Sequence, residues 1–324
     1  MKHILILILV CTLLFCFGCS KEQQLKIMRP KVLVIIYNPI VETEGGMRLQ
    51  KLFNWYNPDS LAHVYIDDLN EVSEGLLDYQ IVQRIESDSY PVKKDGFRYT
   101  DESFVAAWRS REFHQPDGVD YNAILEEFNI IPQIESGAID EVWLFGFPYG
   151  GFWESTMAGK GAFYCNSDPI PNTENCSRKF IVMGFNYERG VGCMLEDFGH
   201  RTESIMSHVF RNVPAEANLW EKFIKYDKVA PGESNCGNVH FAPNSEKDYD
   251  WGNTRVVLSN CDDWYNFPDF KGITKEVDCT EWGNGDIREH HKWWLKHIPK
   301  TLGETNGISN NWWDYMSDPN NVAN

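Results

Sequence analysis

The sequence predicts an α/β fold with a mainly parallel central sheet flanked by helices, and a loop-rich C-terminal elaboration packed on it. Three observations carry this. Short apolar runs bounded by turn residues recur at Lys31–Tyr37, Ile139–Phe147 and Phe180–Phe185, the pattern of buried strands. Helical patterns alternate with such runs, the longest from Val191 to Phe210, and that alternation argues for parallel pairing. From about Pro231 the helical periodicity fades and Gly, Asn, Asp and Pro become common, which is loop composition. The resulting division is a leader over 1–19, a linker over 20–30, an α/β core over 31–230 and the loop-rich portion over 231–324.

Lys2 and His3 precede an apolar run from Ile4 to Phe17, then Gly18-Cys19-Ser20. This is the layout of a signal peptide, and the run is short for a transmembrane helix. Gly18-Cys19, with Leu13 and Leu14 upstream, resembles the end of a bacterial lipoprotein signal. The expectation is an extracytoplasmic chain anchored by a lipid on Cys19. Plain cleavage and secretion is the alternative, because Cys16 and Phe17 stand where small residues are usual.

In the core, Lys31–Tyr37 (KVLVIIY) reads as a buried strand ending at Asn38-Pro39, and Met47 to Tyr56 as a helix after Gly45-Gly46. Ala62 to Ile66 reads as a second strand stopping at Asp67-Asp68, and Tyr79 to Ile85 as a third. Helices follow at Thr100 to Arg111, with Thr100 as cap, and at Tyr121 to Phe128. Ile139–Phe147 and Phe180–Phe185 are the central strands. Beyond Pro231, Val239–Phe241 and Val256–Leu258 read as short strands and Ile287 to His297 as a helix. Strand ends in this arrangement bring Asn38, Asp67, Asp68, Glu86, Tyr149 and Asn186 to one edge, with Glu42, Glu154 and Glu188 in adjacent loops. Open α/β sheets bind ligands at that edge.

A formal net charge of −17 argues against nucleic acid and against anionic membrane surfaces as partners. Six cysteines follow the leader, at 165, 176, 193, 236, 261 and 279. Export makes disulfides the expectation, Cys165–Cys176 first, and their scatter argues against a zinc ribbon. Twelve tryptophans mostly belong in a core, but several stand beside acids, as Trp153-Glu154 and Glu281-Trp282 do, which suits a cleft that stacks on sugar rings.

The helix from Val191 sets Val191, Leu195, Phe198, Thr202, Ile205 and Val209 on one face and Glu196, His200, Glu203 and Ser207 on the other. Such a polar row is a solvated face with a local ion pair unless the distal segment covers it. Covered, it becomes a site. Glycoside hydrolysis needs two carboxyl groups across the scissile bond, and Glu154 with Glu188 is the expected pair, helped by His200 and Glu196, with Glu281 as a further contender. Tyr149, Trp153, Asn186, Tyr187 and Trp282 are the expected substrate contacts. That reading needs no cofactor. A divalent metal held by Glu196, His200, His240 and His290 is the enzymatic alternative, although no HExxH motif is present. No Gly-x-Ser-x-Gly elbow supports a serine nucleophile, and for Cys193 on the helix export makes a disulfide the better expectation than a thiol nucleophile.

The strings FGFPYGGFWESTMAGKGAFYCN, GFNYERGVGCMLEDFGHRTESIM and GNVHFAPN resemble segments of an uncharacterised family of exported bacterial proteins. The resemblance covers most of the chain after the leader and implies export and one integrated unit. It carries no activity. The functional expectations are therefore an extracytoplasmic hydrolase acting on glycans, a metal-dependent hydrolase or peptidase, or a surface glycan-binding protein without catalysis.

Overall fold

The computed structural model describes residues 24–323, so the leader and Cys19 lie outside it. Five strands form the central sheet: β1 (Lys31–Tyr37), β2 (Gln80–Ser87), β3 (Glu141–Gly146), β4 (Ser155–Ala158) and β5 (Phe180–Asn186). Their order is β2-β1-β3-β5-β4, and all neighbours run parallel except β4, which is antiparallel to β5. The protein is an α/β fold. β1, β3 and β5 are buried on both faces, as parallel strands covered by helices must be.

Three helices position the functional side chains: α1 (Pro58–Val72), α2 (Val191–Val209) and α3 (Ile287–Lys296). The α1 segment corrects the strand expected over Ala62 to Ile66. Asn57 accepts the Ser60 N–H at 2.9 Å and Pro58 occupies the first turn, a start signal that overrides the β-branched character of the run. Leu61, Ala62, Tyr65, Asp68, Leu69 and Val72 are its buried face. Asp67 and Asp68 therefore leave the sheet edge, and Asp68 pairs instead with Arg288 of α3 at 2.7 and 2.8 Å.

The helix expected over Met47 to Tyr56 shrinks to Leu49–Leu52, since Asn54 takes a left-handed φ of 55° that breaks it. Asp101–Ser110 forms as expected, with a Thr100–Ser103 capping box. Val257–Ser259 pairs antiparallel with Lys275–Val277. The strand expected at Val239–Phe241 is a loop, because the Asn238 side chain captures the backbone N–H groups of His240 and Phe241 at 3.1 and 3.0 Å.

All six described cysteines are free, which corrects the expected Cys165–Cys176 bridge. Cys165 lies beside Ser155, at the start of β4. The Cys176 carbonyl accepts from Lys160, beyond the other end of that strand. Four strand residues span roughly 10 Å, more than the ~7 Å between Cα atoms that a bridge tolerates.

Because β4 runs against β5, it begins at the carboxyl edge of the sheet, where α2 also begins. Glu154, one residue before β4, is tied there by its carbonyl, which accepts the Gly184 N–H at 3.1 Å. The antiparallel edge strand thus delivers an acid to the first turns of α2.

Candidate metal centre

The apolar stripe of α2 behaves as its spacing demands: Leu195, Phe198, Thr202 and Ile205 are buried. Glu196, His200 and Glu203 consequently face outward, and the distal segment covers them. The Val239 N–H donates to Glu203 Oε1 at 3.1 Å, the Asn238 turn sets His240 next in line, and the Val239 carbonyl lies 3.2 Å from His291 Nε2 of α3.

Four groups from three segments converge. His200 Nε2 and His240 Nε2 are 3.0 Å apart. Glu196 Oε1 is 3.3 Å from His240 Nε2, and Glu154 Oε2 is 4.0 Å from His200 Nε2. Each imidazole is held from behind by a carboxylate: His200 Nδ1 by Glu203 Oε2 at 3.0 Å, and His240 Nδ1 by Asp248 Oδ1 at 3.0 Å. Asn166 Nδ2 donates to Glu154 Oε2 from the remaining side.

Counting protons decides what this arrangement wants. A carboxylate only accepts, so both Nδ1 atoms carry hydrogen. In the neutral ring each Nε2 is then a lone pair, and the two lone pairs face each other across 3.0 Å with Glu196 beside them. Such a cage is stable only around a cation, either a proton on one ring or a metal ion. The ion pairs of the four carboxylates Glu154, Glu196, Glu203 and Asp248 are to these two imidazoles, which leaves negative charge over. A carboxylate on the far nitrogen of a histidine is also the support that metal-ligating histidines regularly have.

The titration behaviour agrees. Burial opposes the charged form of His200, but the Glu203 bond and the fields of Glu203, Glu154 and Glu196 outweigh it and raise its pKa. The Glu196 bond raises His240 against its own burial. Burial also opposes the Glu196 carboxylate, yet His240, His291 and His200 hold it below its usual range. Asp197 is pushed well up by burial and by Glu154 and Glu196.

These directions give a signed pH expectation. Without metal, His200 and His240 stabilise the fold fully below the unfolded histidine value of about 6.5, and that contribution is lost as pH rises through their raised folded values. With metal the trend reverses, because ligands bind deprotonated and affinity grows with pH. Thermal denaturation between pH 6 and 8, in chelator and in zinc, should show opposite slopes; parallel slopes would refute it.

Gly199 has a part in this geometry. A Cβ there would stand 2.6 Å from Val239 Cγ2, so the segment bearing His240 would have to move. Gly199→Ala should favour the helix by up to about 1 kcal/mol and yet weaken metal binding, a combination that calorimetric titration and thermal melts would separate.

The other expected site residues fall elsewhere. Glu188 pairs with Arg189 at 3.9 Å and its N–H donates to Asn186 Oδ1; neither residue joins the cluster. Tyr187 is fully buried, its hydroxyl on the Tyr37 carbonyl at 2.9 Å. Trp282 is buried and donates to the Trp251 carbonyl, and Glu281 holds Lys275. Tyr149 stacks on Phe113. Trp153 is 51% exposed and lines a cavity of about 530 Å³ with Tyr121, Asp120, Asn122 and Asp168. His290 is fully buried, stacked between Trp251 and Trp293, and burial with its histidine neighbours pushes its pKa well down. The ligand-type atoms gathered around His240 are those of Glu196 and His200, and His290 is not among them.

Asp248, Asn166 and Tyr249 are participants that sequence reasoning missed. The Tyr249 ring lies 4.3 Å from that of His240, and burial followed by the Glu196 charge raises its pKa. Nothing in their local sequence marks them. Comparison with protein-family models gives no match, and comparison with curated proteins gives none either.

Proposed function

We propose that the protein is a metal-dependent hydrolase working outside the cytoplasm, with a divalent transition ion held by Glu196, His200 and His240. The observation that carries the reading is the pair of Nε2 atoms 3.0 Å apart, each ring backed by a carboxylate on Nδ1. Nitrogen and carboxylate donors of this kind suit zinc. A bound ion of this type lowers the pKa of its water toward 7.

The residues around it supply the rest. Glu154, tethered by Asn166 and with its side chain 44% exposed, takes the proton of the attacking water. Tyr249, exposed at the rim, donates to the oxygen on which negative charge develops. Glu203 and Asp248 fix the imidazoles and keep their lone pairs forward.

A glycan as substrate or ligand is supported by one feature, the half-exposed Trp153 lining a cavity, one residue from Glu154. Sugar rings stack on such a face.

The test is elemental analysis of the purified chain with a turnover screen on chromogenic esters, amides and glycosides. Zinc that chelation removes together with turnover, and a Glu154→Gln variant that keeps zinc but not turnover, are the expected results. A chain that takes up no transition metal at neutral pH would end the proposal.

A further inference from the structure

A second group of ligand-type atoms lies in the distal portion, apart from Glu196, His200 and His240. Cys261 and Asp262 begin a short 3-10 turn (Cys261–Asn266), and His297 caps the end of α3. Cys261 Sγ is 3.7 Å from Asp262 Oδ1, and His297 Nε2 is 3.5 Å from the same oxygen. One ligand atom from each residue fits within 4.8 Å of the others.

The histidine carries the argument. Its Nδ1 lies 2.7 Å from the Trp293 carbonyl, which accepts only, so Nδ1 bears the hydrogen and Nε2 the lone pair. The side chain is 1% exposed, and Nε2 has no hydrogen-bond partner. A buried lone pair without a donor is costly, and this one is aimed at a carboxylate and a thiol. Replacing the thiol proton by an ion turns all three groups into ligands.

Two of the three spacings match those around one ion. Bonds of about 2.1 Å to nitrogen and oxygen and about 2.3 Å to sulfur, at tetrahedral angles, put ligand atoms about 3.4 Å apart for an N,O pair and about 3.6 Å for an S,O pair. The contacts here are 3.5 and 3.7 Å. Lys275 takes the other carboxylate oxygen, Oδ2, at 2.9 Å and is neutralised by Glu281, which leaves Oδ1 facing Cys261 and His297. Cys236 adds a further buried thiol, 3.9 Å from the Cys261 carbonyl.

We infer a second zinc site, with Cys261, Asp262 and His297 as its three protein ligands, which clamps the distal turn to the end of α3. On ion binding the Cys261 S–H bond breaks, its proton goes to solvent and the thiolate pair forms the metal–sulfur bond; no oxidant or reductant is involved. The clamp would steady α3, whose His291 props the Val239 carbonyl.

Cobalt exchange of the reduced full-length chain tests this, because only a thiolate ligand gives a sulfur-to-cobalt charge-transfer band in the near ultraviolet. The wild type is expected to bind two equivalents of cobalt and to show the band. Cys261→Ser and His297→Ala should each bind one equivalent and lose the band. His200→Ala should also bind one equivalent but keep the band, and Cys193→Ser should keep both. A wild-type spectrum without the band overturns the inference, whatever any variant does. So does a band that survives in Cys261→Ser. Loss of the His200 equivalent with the band retained would leave this site standing while the catalytic ion is tested separately.

Discussion

His200→Ala is expected to lose one equivalent of bound transition metal, with affinity at that site falling more than about 100-fold, and to lose hydrolytic turnover with it. The lower bound comes from the shell behind the ligands: removing an outer carboxylate partner of a ligating histidine costs about 10–100-fold in affinity. Glu203→Gln and Asp248→Asn should each fall in that band, since each releases one imidazole from the carboxylate that fixes it. Removing a ring itself deletes a ligand and must cost more. Alanine at 200 should not unfold the chain. The ring lies on the covered outward face of α2, while the buried stripe of Leu195, Phe198, Thr202 and Ile205 is untouched. Calorimetric titration with zinc gives the affinity, and a melt in chelator shows whether the apo fold survives. Unchanged zinc affinity in the variant would remove His200 from the ligand set and the metal proposal with it.

Much of this site is legible in the sequence, and the residues explain how far. Glu196, His200 and Glu203 stand at i, i+4 and i+7 on α2, so a strictly local pattern places them on one face. The three central strands are equally local, as uninterrupted apolar runs. His240 lies 40 positions further on, in a loop whose shape depends on the Asn238 side chain. Chain order can suggest it as a ligand but not bring it within 3.0 Å. Glu154 needs β4, and a four-residue antiparallel edge strand leaves almost no periodicity to read. Glu188, its expected partner, is near the same carboxyl edge by topology, but the contact its carboxylate makes is with the neighbouring Arg189 at 3.9 Å. The start of α1 is written in the sequence after all. Asn57-Pro58 is a helix start in its own right, and it outweighs the aromatic and β-branched residues after it. Tyr187 and Trp282 show the limit of aromatic composition as a signal, since both side chains fill the interior and satisfy their polar atoms on backbone carbonyls.

Arg201→Met is expected to destabilise the protein by about 3–5 kcal/mol, the usual cost of breaking one side of a buried ion pair. Arg201 follows His200 but points the other way, into the core, where it is 0% exposed. Its Nη1 meets Glu141 Oε1 of β3 at 2.7 Å, and its Nη2 donates to the Met316 carbonyl at 2.7 Å. Glu141, itself 2% exposed, also accepts from Trp143 Nε1 at 2.8 Å and from the Tyr79 hydroxyl at 3.2 Å. The guanidinium therefore pins α2 to the sheet on one side and to the C-terminal segment on the other. Methionine fills the space but leaves Glu141 charged in the interior with only two neutral donors. Replacing both partners, as in Glu141→Leu with Arg201→Met, removes the stranded charge and should recover a large part of the loss, although Tyr79 and Trp143 then lack an acceptor. Urea denaturation of the four chains closes a double-mutant cycle. In native buffer the zinc affinity of Arg201→Met should stay within a few-fold of the parent, because the polar row on the opposite face of α2 is untouched. A cost below about 1 kcal/mol for the single variant, the level of a solvent-exposed pair, would show that this pair does not pin the helix to the sheet.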